Sequence, residues 1–341
     1  MSAASDKGRA RLISRLGGAA LVAIVLAVVS QWNFAADADD RDIGALVLPG
    51  FEARAGDAGL VMVTTREESY HIARDPEGWV LTEKGRYPVE AEPLGQLAEA
   101  LSAMRFGRSM TQDPKKHDRL GLGDPLEGGT GALLEVSDGS GTVLAKLIVG
   151  FKNGSAFVRR PGEDQAWEVT DAELPPFQRA AQWLDLDVVS LDATEISLVE
   201  IEPTAGRAFA LVPRIDAPGE FQLAPPDDTA RLTTSFAPNP PANILTRLAP
   251  IDVKPLSQLS TDTPVGVHRT HTYDGLVYEA ALYENGGTFW VALGVYAEDD
   301  NPDLLARIES LEERIAGWAF GVSRLEWDAL TTPFEAIALV D

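Results

Sequence analysis

Apolar and polar residues along the chain follow two periods, which divide it into elements. Residues 60–65, 69–74 (around Tyr70 and Ile72) and 78–82 (Trp79-Val80-Leu81) are short β-branched or aromatic runs. They are punctuated by turn residues such as Asp75-Pro76-Glu77-Gly78, the signature of strands. The period then lengthens. Leu94, Leu97, Ala98, Leu101 and Met104 recur three or four residues apart, which predicts an amphipathic helix of about 13 residues. Strands resume at 132–137 and 143–149, with Asp138-Gly139-Ser140-Gly141 between them as a hairpin turn. A second hairpin, 156–160 with 166–169, turns at Pro161-Gly162-Glu163-Asp164, and a helix is expected near 176–184.

The second half presents the same succession. Strand-like segments 197–202, 208–213 and 220–223 precede a short apolar helix at 241–248 (Ile244, Leu245, Leu248). A hairpin, 265–273 with 276–283, turns at Asp274-Gly275, and a strand follows at 288–295. The inferred unit of hairpin, extra strand, helix, hairpin and strands occurs twice, resting on element order because identity between the halves is negligible. A terminal helix over 303–317 has Asp299, Asn301 and Pro302 at its start and Leu304, Leu305, Ile308, Leu311 and Ile315 on one stripe. Trp318 and Phe320 are expected core residues beyond it. Hairpins dominate and each helix is flanked by strands, so the expected class is α+β: antiparallel sheets with helices laid on one face. The expected segments are 1–34 (basic tail and transmembrane anchor), 35–45 (acidic linker), 46–190 (first unit) and 191–341 (second unit with the C-terminal helix).

Residues 16–29 carry no charge, follow Lys7, Arg9, Arg11 and Arg15, and lead to Trp32 and Phe34. Basic residues before one apolar run place the N-terminus in the cytoplasm and the bulk of the chain across the inner membrane, in the periplasm or its equivalent. A cleaved secretory signal is the rival reading, with Ala36-Asp37-Ala38 as a small-x-small site. Asn33 and Phe34 between the apolar run and that site favour the retained anchor. Composition sharpens the location. The chain has 29 basic and 52 acidic side chains, and the first 34 residues hold four and one of these. The remainder therefore carries 25 against 51, a charge of −26 that disfavours nucleic acid and anionic headgroups as partners. There is no cysteine, which excludes disulfides, thiolate catalysis and Cys-ligated metals.

No catalytic, cofactor-binding or metal-binding residue emerges. His268 and His271 are a close pair, but on a strand they point to opposite faces and cannot share a metal. His71 reads as a half-exposed strand residue beside Tyr70, and His117 as a solvated residue of a charged loop. Asp37, Asp39, Asp40 and Asp42 lack the central glycine and ligand spacing of a calcium loop. Glu195, Glu200 and Glu202 suit the wet face of a strand. Gly128-Gly129-Thr130-Gly131 lacks the Lys-Ser/Thr of a phosphate loop, and Ser140 lies in a hairpin turn rather than a nucleophile elbow. Trp79, Trp167, Trp183, Trp290, Trp318 and Trp327 are most simply core, with an exposed stacking groove as the minority alternative.

Several features together resemble the DUF4340 family of bacterial exported proteins of unknown function. They are the N-terminal span, the Trp79-Val80-Leu81 strand, the PVEA stretch at 88–91 and the Arg119-Leu120-Gly121-Leu122-Gly123-Asp124-Pro125 segment. Leu147-Ile148-Val149-Gly150 leading into the 159–170 hairpin and the closing helix with Trp318 complete the set. The resemblance implies a membrane-tethered auxiliary component of an ABC-type transport system, whose partners are transporter subunits, and it describes no catalytic residues that could be carried over. The glycine-rich segment 121–132 departs from the family pattern in length and leaves that loop's geometry open. The leading expectation is a non-enzymatic, membrane-anchored extracytoplasmic accessory or scaffold protein. The alternatives are an envelope glycan- or peptide-binding module and a hydrolase with a dispersed site.

Overall fold

The structure is a computed structural model that describes residues 42–189, 191–224, 230–259, 263–299 and 301–340. The apolar run at 16–29, the cleavage motif and Asp37, Asp39 and Asp40 of the acidic linker lie outside the described residues. Among the described residues no helix is long and apolar enough to cross a membrane.

Two antiparallel sheets dominate. The first contains β1 (Ala58–Thr64), β2 (Ser69–Asp75), β3 (Gly78–Leu81), β4 (Tyr87–Pro88), β5 (Arg105–Thr111), β6 (Ala132–Asp138), β7 (Val143–Lys152), β8 (Ser155–Arg159) and β9 (Ala166–Thr170). Its order is β4-β3-β2-β1-β6-β7-β8-β9-β5. Helix α1 (Ala91–Ala103) connects β4 to β5 and buries Leu97, Ala100 and Leu101. The second sheet contains β10 (Ile196–Pro203), β11 (Phe209–Arg214) and β12 (Ala217–Leu223), with β14 (Asp252–Pro255), β15 (Gly266–Thr272), β16 (Leu276–Asn285), β17 (Thr288–Ala297) and β18 (Trp318–Val322). Its order is β12-β11-β10-β15-β16-β17-β18-β14. Strands β13 (Ala230–Leu232) and β19 (Ala338–Val340) form a separate ribbon. Helices α2 (Asn239–Ala242), α3 (Pro302–Ile315), α4 (Arg324–Leu330) and α5 (Phe334–Ile337) complete the chain.

The expected strands and hairpins form where the period-2 pattern places them, and the molecule is β-rich and antiparallel with a few helices. Helix α3 starts where expected, its first turn capped by the Asn301 side chain accepting from Asp303 N. The helix expected near 176–184 is only a 3₁₀ turn, Ala180–Trp183, after an extended stretch begun by Pro175 and Pro176. The one expected at 241–248 is split into α2 and a 3₁₀ turn at Ile244–Thr246.

The main core runs continuously through both sheets, from Val61, Tyr70 and Trp183 to Val199, Leu276 and Phe320. The sheets meet where β4 and the turn before it face β14 and β18. There the Tyr87 ring stands edge-on to Trp318 at 4.9 Å, and Lys84 pairs with Asp252 at 2.6 Å. The first sheet also has a second apolar layer. Leu133, Ile148, Phe157 and Ala166 point away from the main core and are covered by Leu120 and Leu122 of the connection between β5 and β6. Strand β7 is therefore buried on both faces at Leu147-Ile148-Val149-Gly150, which explains that unbroken apolar run.

Candidate functional site

The β5-to-β6 connection, residues 112–131, lies between two clefts. It begins with a 3₁₀ turn, Pro114–Leu120, capped by the Asp113 side chain accepting from Lys115 N, and ends in αL at Gly121 with φ 70°. A second such turn, Pro125–Glu127, is capped by Asp124 and ends at Gly128 with φ 82°. Backbone packing holds this loop against the sheet. A Cβ on Gly150 would lie 2.3 Å from the Leu120 carbonyl oxygen and 2.4 Å from that of Gly121. A Cβ on Gly129 would lie 2.2 Å from the Gly123 carbonyl carbon, and one on Gly131 2.6 Å from the Gly123 oxygen. These glycines permit backbone approach that no other residue allows.

Two clefts flank the loop. The first, about 370 Å³, is lined by His117, Asp118, Asp124, Glu127, Arg159 and Asp164 among others. Arg159 is buried, and its Nε donates to the Leu122 carbonyl at 2.8 Å. Burial lowers its pKa, opposed by Asp124, Asp164 and Glu127, and a guanidinium remains charged throughout. Glu163 on the same wall is raised by burial, with Arg160 opposing.

The second cleft, about 440 Å³, is lined by Thr65, Arg66, Glu67, Thr130, Phe151, Gln178, Arg179 and Gln182, with backbone from Gly121, Gly131 and Gly150. The two clefts share a wall. Asp118, which lines the first, accepts from Thr130 N and Thr130 Oγ1, both at 2.9 Å, and Thr130 lines the second. Those two bonds hold the Asp118 carboxyl below the ordinary carboxylate range, and Arg66 adds to the effect.

The second cleft is braced from beneath. Tyr70 donates its hydroxyl to the Phe177 carbonyl and accepts from Trp183 Nε1 at 2.6 Å. This pins the segment carrying Gln178, Arg179 and Gln182 at both ends. Burial pushes the Tyr70 hydroxyl far up, so it stays a donor. Glu68 ties the neighbouring turn to this segment by accepting from Ala180 N at 2.9 Å.

The residues weighed from sequence are scattered. His71 is half-exposed and bonds Glu83 at 2.6 Å. His117 is buried rather than solvated, with Nε2 2.8 Å from the Asp164 carbonyl oxygen, because the 3₁₀ turn folds it beneath the loop. His268 and His271 do face opposite sides of β15: His268 is buried against the Pro241 carbonyl, and His271 stands outside between Glu200 and Glu298. Glu202 pairs with Arg269, Glu195 caps the turn at Asp192, and Ser140 sits in its hairpin turn. The six tryptophans singled out are buried or pack against the core. No sequence pattern points to Arg66, Arg159, Arg179, Gln178 or Gln182. The glycine-rich segment was the one sequence signal near them, and it names the loop without naming what the loop faces. Among the described residues no group of three or more His, Cys, Asp or Glu could hold a metal ion.

No curated protein and no solved structure matches the chain. The family model described as Domain of unknown function (DUF4340) matches residues 79–236, a stretch that includes the glycine-rich loop, Arg159 and Arg179, and the chain carries a domain of that family.

Proposed function

We propose that the protein is a non-enzymatic accessory or scaffold protein, anchored in the inner membrane by its N-terminal apolar run with its bulk in the periplasm, and associated with an ABC-type transporter. The observation that carries this reading is the preformed pair of polar clefts, held open by backbone contacts at Gly129, Gly131 and Gly150 rather than by side chains that could rearrange. Such pre-organisation suits recognition, because little ordering entropy is lost on binding. The histidines support the same reading. Each bonds a carbonyl or carboxylate, and none is paired with a nucleophile.

The two halves read as two copies of one unit. In each sheet the third, second and first strands of the half precede the later hairpin strands, and the strand after the helix closes the far edge. The halves differ in their connections: 112–131 in the first is longer than 256–265 in the second, so the clefts belong to one copy only. Duplication would supply a rigid platform, and the divergent loop its recognition element.

Purification of the full chain from membranes in mild detergent tests the role. Transporter subunits are expected to co-purify, and recovery of the protein alone would count against it.

A further inference from the structure

The second cleft gathers two arginines in a strongly acidic protein. Many described arginines are ion-paired, among them Arg54, Arg86, Arg214, Arg269 and Arg307. Arg66 and Arg179, both lining the cleft, make no ion pair among the described residues, although the chain carries 52 acidic side chains. Gln178 makes no side-chain hydrogen bond there either, and Gln182 uses only its oxygen, which accepts from Arg179 N at 2.9 Å. Phe151, 42% exposed on the same cleft, packs edge-on against Phe177 at 5.9 Å. One cleft thus offers two guanidinium groups, unused amide donors and an apolar ring.

We propose that this cleft binds the free terminal carboxylate of a peptide. Arg66 and Arg179 hold the carboxylate, Gln178 and Gln182 meet the adjoining peptide group, and Phe151 takes the last side chain. Guanidinium forks match carboxylate geometry and form charge-assisted bonds. Both carboxylate and phosphate fit an arginine pair, and charge decides between them. Glu67 lines the same cleft and Asp118 stands behind Thr130 within electrostatic reach of Arg66, so negative charge already offsets part of that of the two arginines. That balance accepts a monoanion and disfavours a multivalent one, the more so in a chain of net charge −23. The proposal rests on the accessory reading only in treating the cleft as a recognition site. The ligand is either the C-terminus of an exported protein or a wall peptide ending in a D-amino acid.

The test is calorimetric titration of the full chain in detergent with N-acetyl-trialanine, its C-terminal amide, the same peptide ending in D-Ala-D-Ala, and inorganic phosphate. The free acid is expected to bind, and the amide to bind about tenfold or more weakly. Arg66→Ala and Arg179→Ala are each expected to cost about tenfold and to erase the difference between acid and amide. Both positions are exposed, so folding should survive, and an unchanged Tm would verify it. Arg231→Ala, on the separate ribbon, should leave binding unaltered. A preference for the D- or L-terminus would identify the source, and either supports the site. Equal binding of acid and amide, no binding of either, or phosphate binding as tightly and displacing the peptide would overturn it. If both variants lose peptide but still co-purify with transporter subunits, the site stands apart from that association. If wild type binds peptide yet purifies alone, the accessory role fails and the site survives.

Discussion

On β15, Gly266, His268, Thr270 and Thr272 turn inward while Val267, Arg269 and His271 turn outward. Outside, Arg269 meets Glu202 at 2.8 Å and Glu279 at 2.7 Å, and the two carboxylates hold it firmly protonated. Inside, His268 is completely buried, with Nε2 3.0 Å from the Pro241 carbonyl oxygen. Burial pushes its pKa down to about 4, opposed by the hydrogen bond to Pro241. The folded form therefore resists a proton that the unfolded chain accepts below about 6.5. This contribution to stability is complete above that pH and is lost as pH falls toward 4, by about 3 kcal/mol across the window. Urea denaturation of wild type and His268→Gln between pH 7 and 4.5 checks it. The variant should start less stable and lose less on acidification, and parallel losses would refute the assignment. That His268 and His271 face opposite sides was legible from strand periodicity, whereas which of them turns inward was not. The burial of His117 was not, because its surroundings are the β8-to-β9 turn, brought beneath it only by folding.

Elements that carry their own start, stripe and stop formed as the pattern implied: α1, α3 and the hairpins β6–β7 and β15–β16. Those that depend on distant partners did not announce themselves. Strand β5, with the sequence RFGRSMT, has little apolar alternation and exists because β9 pairs with it, Arg105 opposite Thr170. The glycine-rich loop is the same kind of case. Its composition marked a turn region, whereas its geometry comes from packing directly on β7. Gly150→Ala should drive a methyl into two carbonyl oxygens and cost about 1–3 kcal/mol by chemical denaturation. Gly139→Ala, in an open hairpin turn, should stay within about 0.5 kcal/mol of wild type, and similar losses for both would contradict this packing.

The whole molecule is joined by a small aromatic and charged junction. Tyr87 is buried against Trp318 and Phe320 and donates its hydroxyl to the Asp185 carbonyl at 2.8 Å. Beside it, Gly85 lies so close to Pro255 that a Cβ would stand 2.2 Å from the proline Cγ. Because the core is continuous across this junction, Tyr87→Ala should cost about 3–5 kcal/mol and shift one cooperative calorimetric transition as a unit. Two transitions, with only one displaced, would show that the halves unfold separately.

Local periodicity, turn residues and caps determined the hairpin strands, their partners and the two longer helices, since each depends on neighbours a few residues away. The excess of acidic side chains and the absence of cysteine were equally plain, because they are properties of composition. Tertiary structure alone decided the order of strands beyond each hairpin, the second apolar layer over β7 and the junction at Tyr87. It also brought Arg66 and Arg179, more than a hundred positions apart, to one cleft. The physical reason is common to all of these. Long-range pairing and backbone-to-backbone packing are settled by which apolar faces can be buried together, and no local pattern encodes the partner.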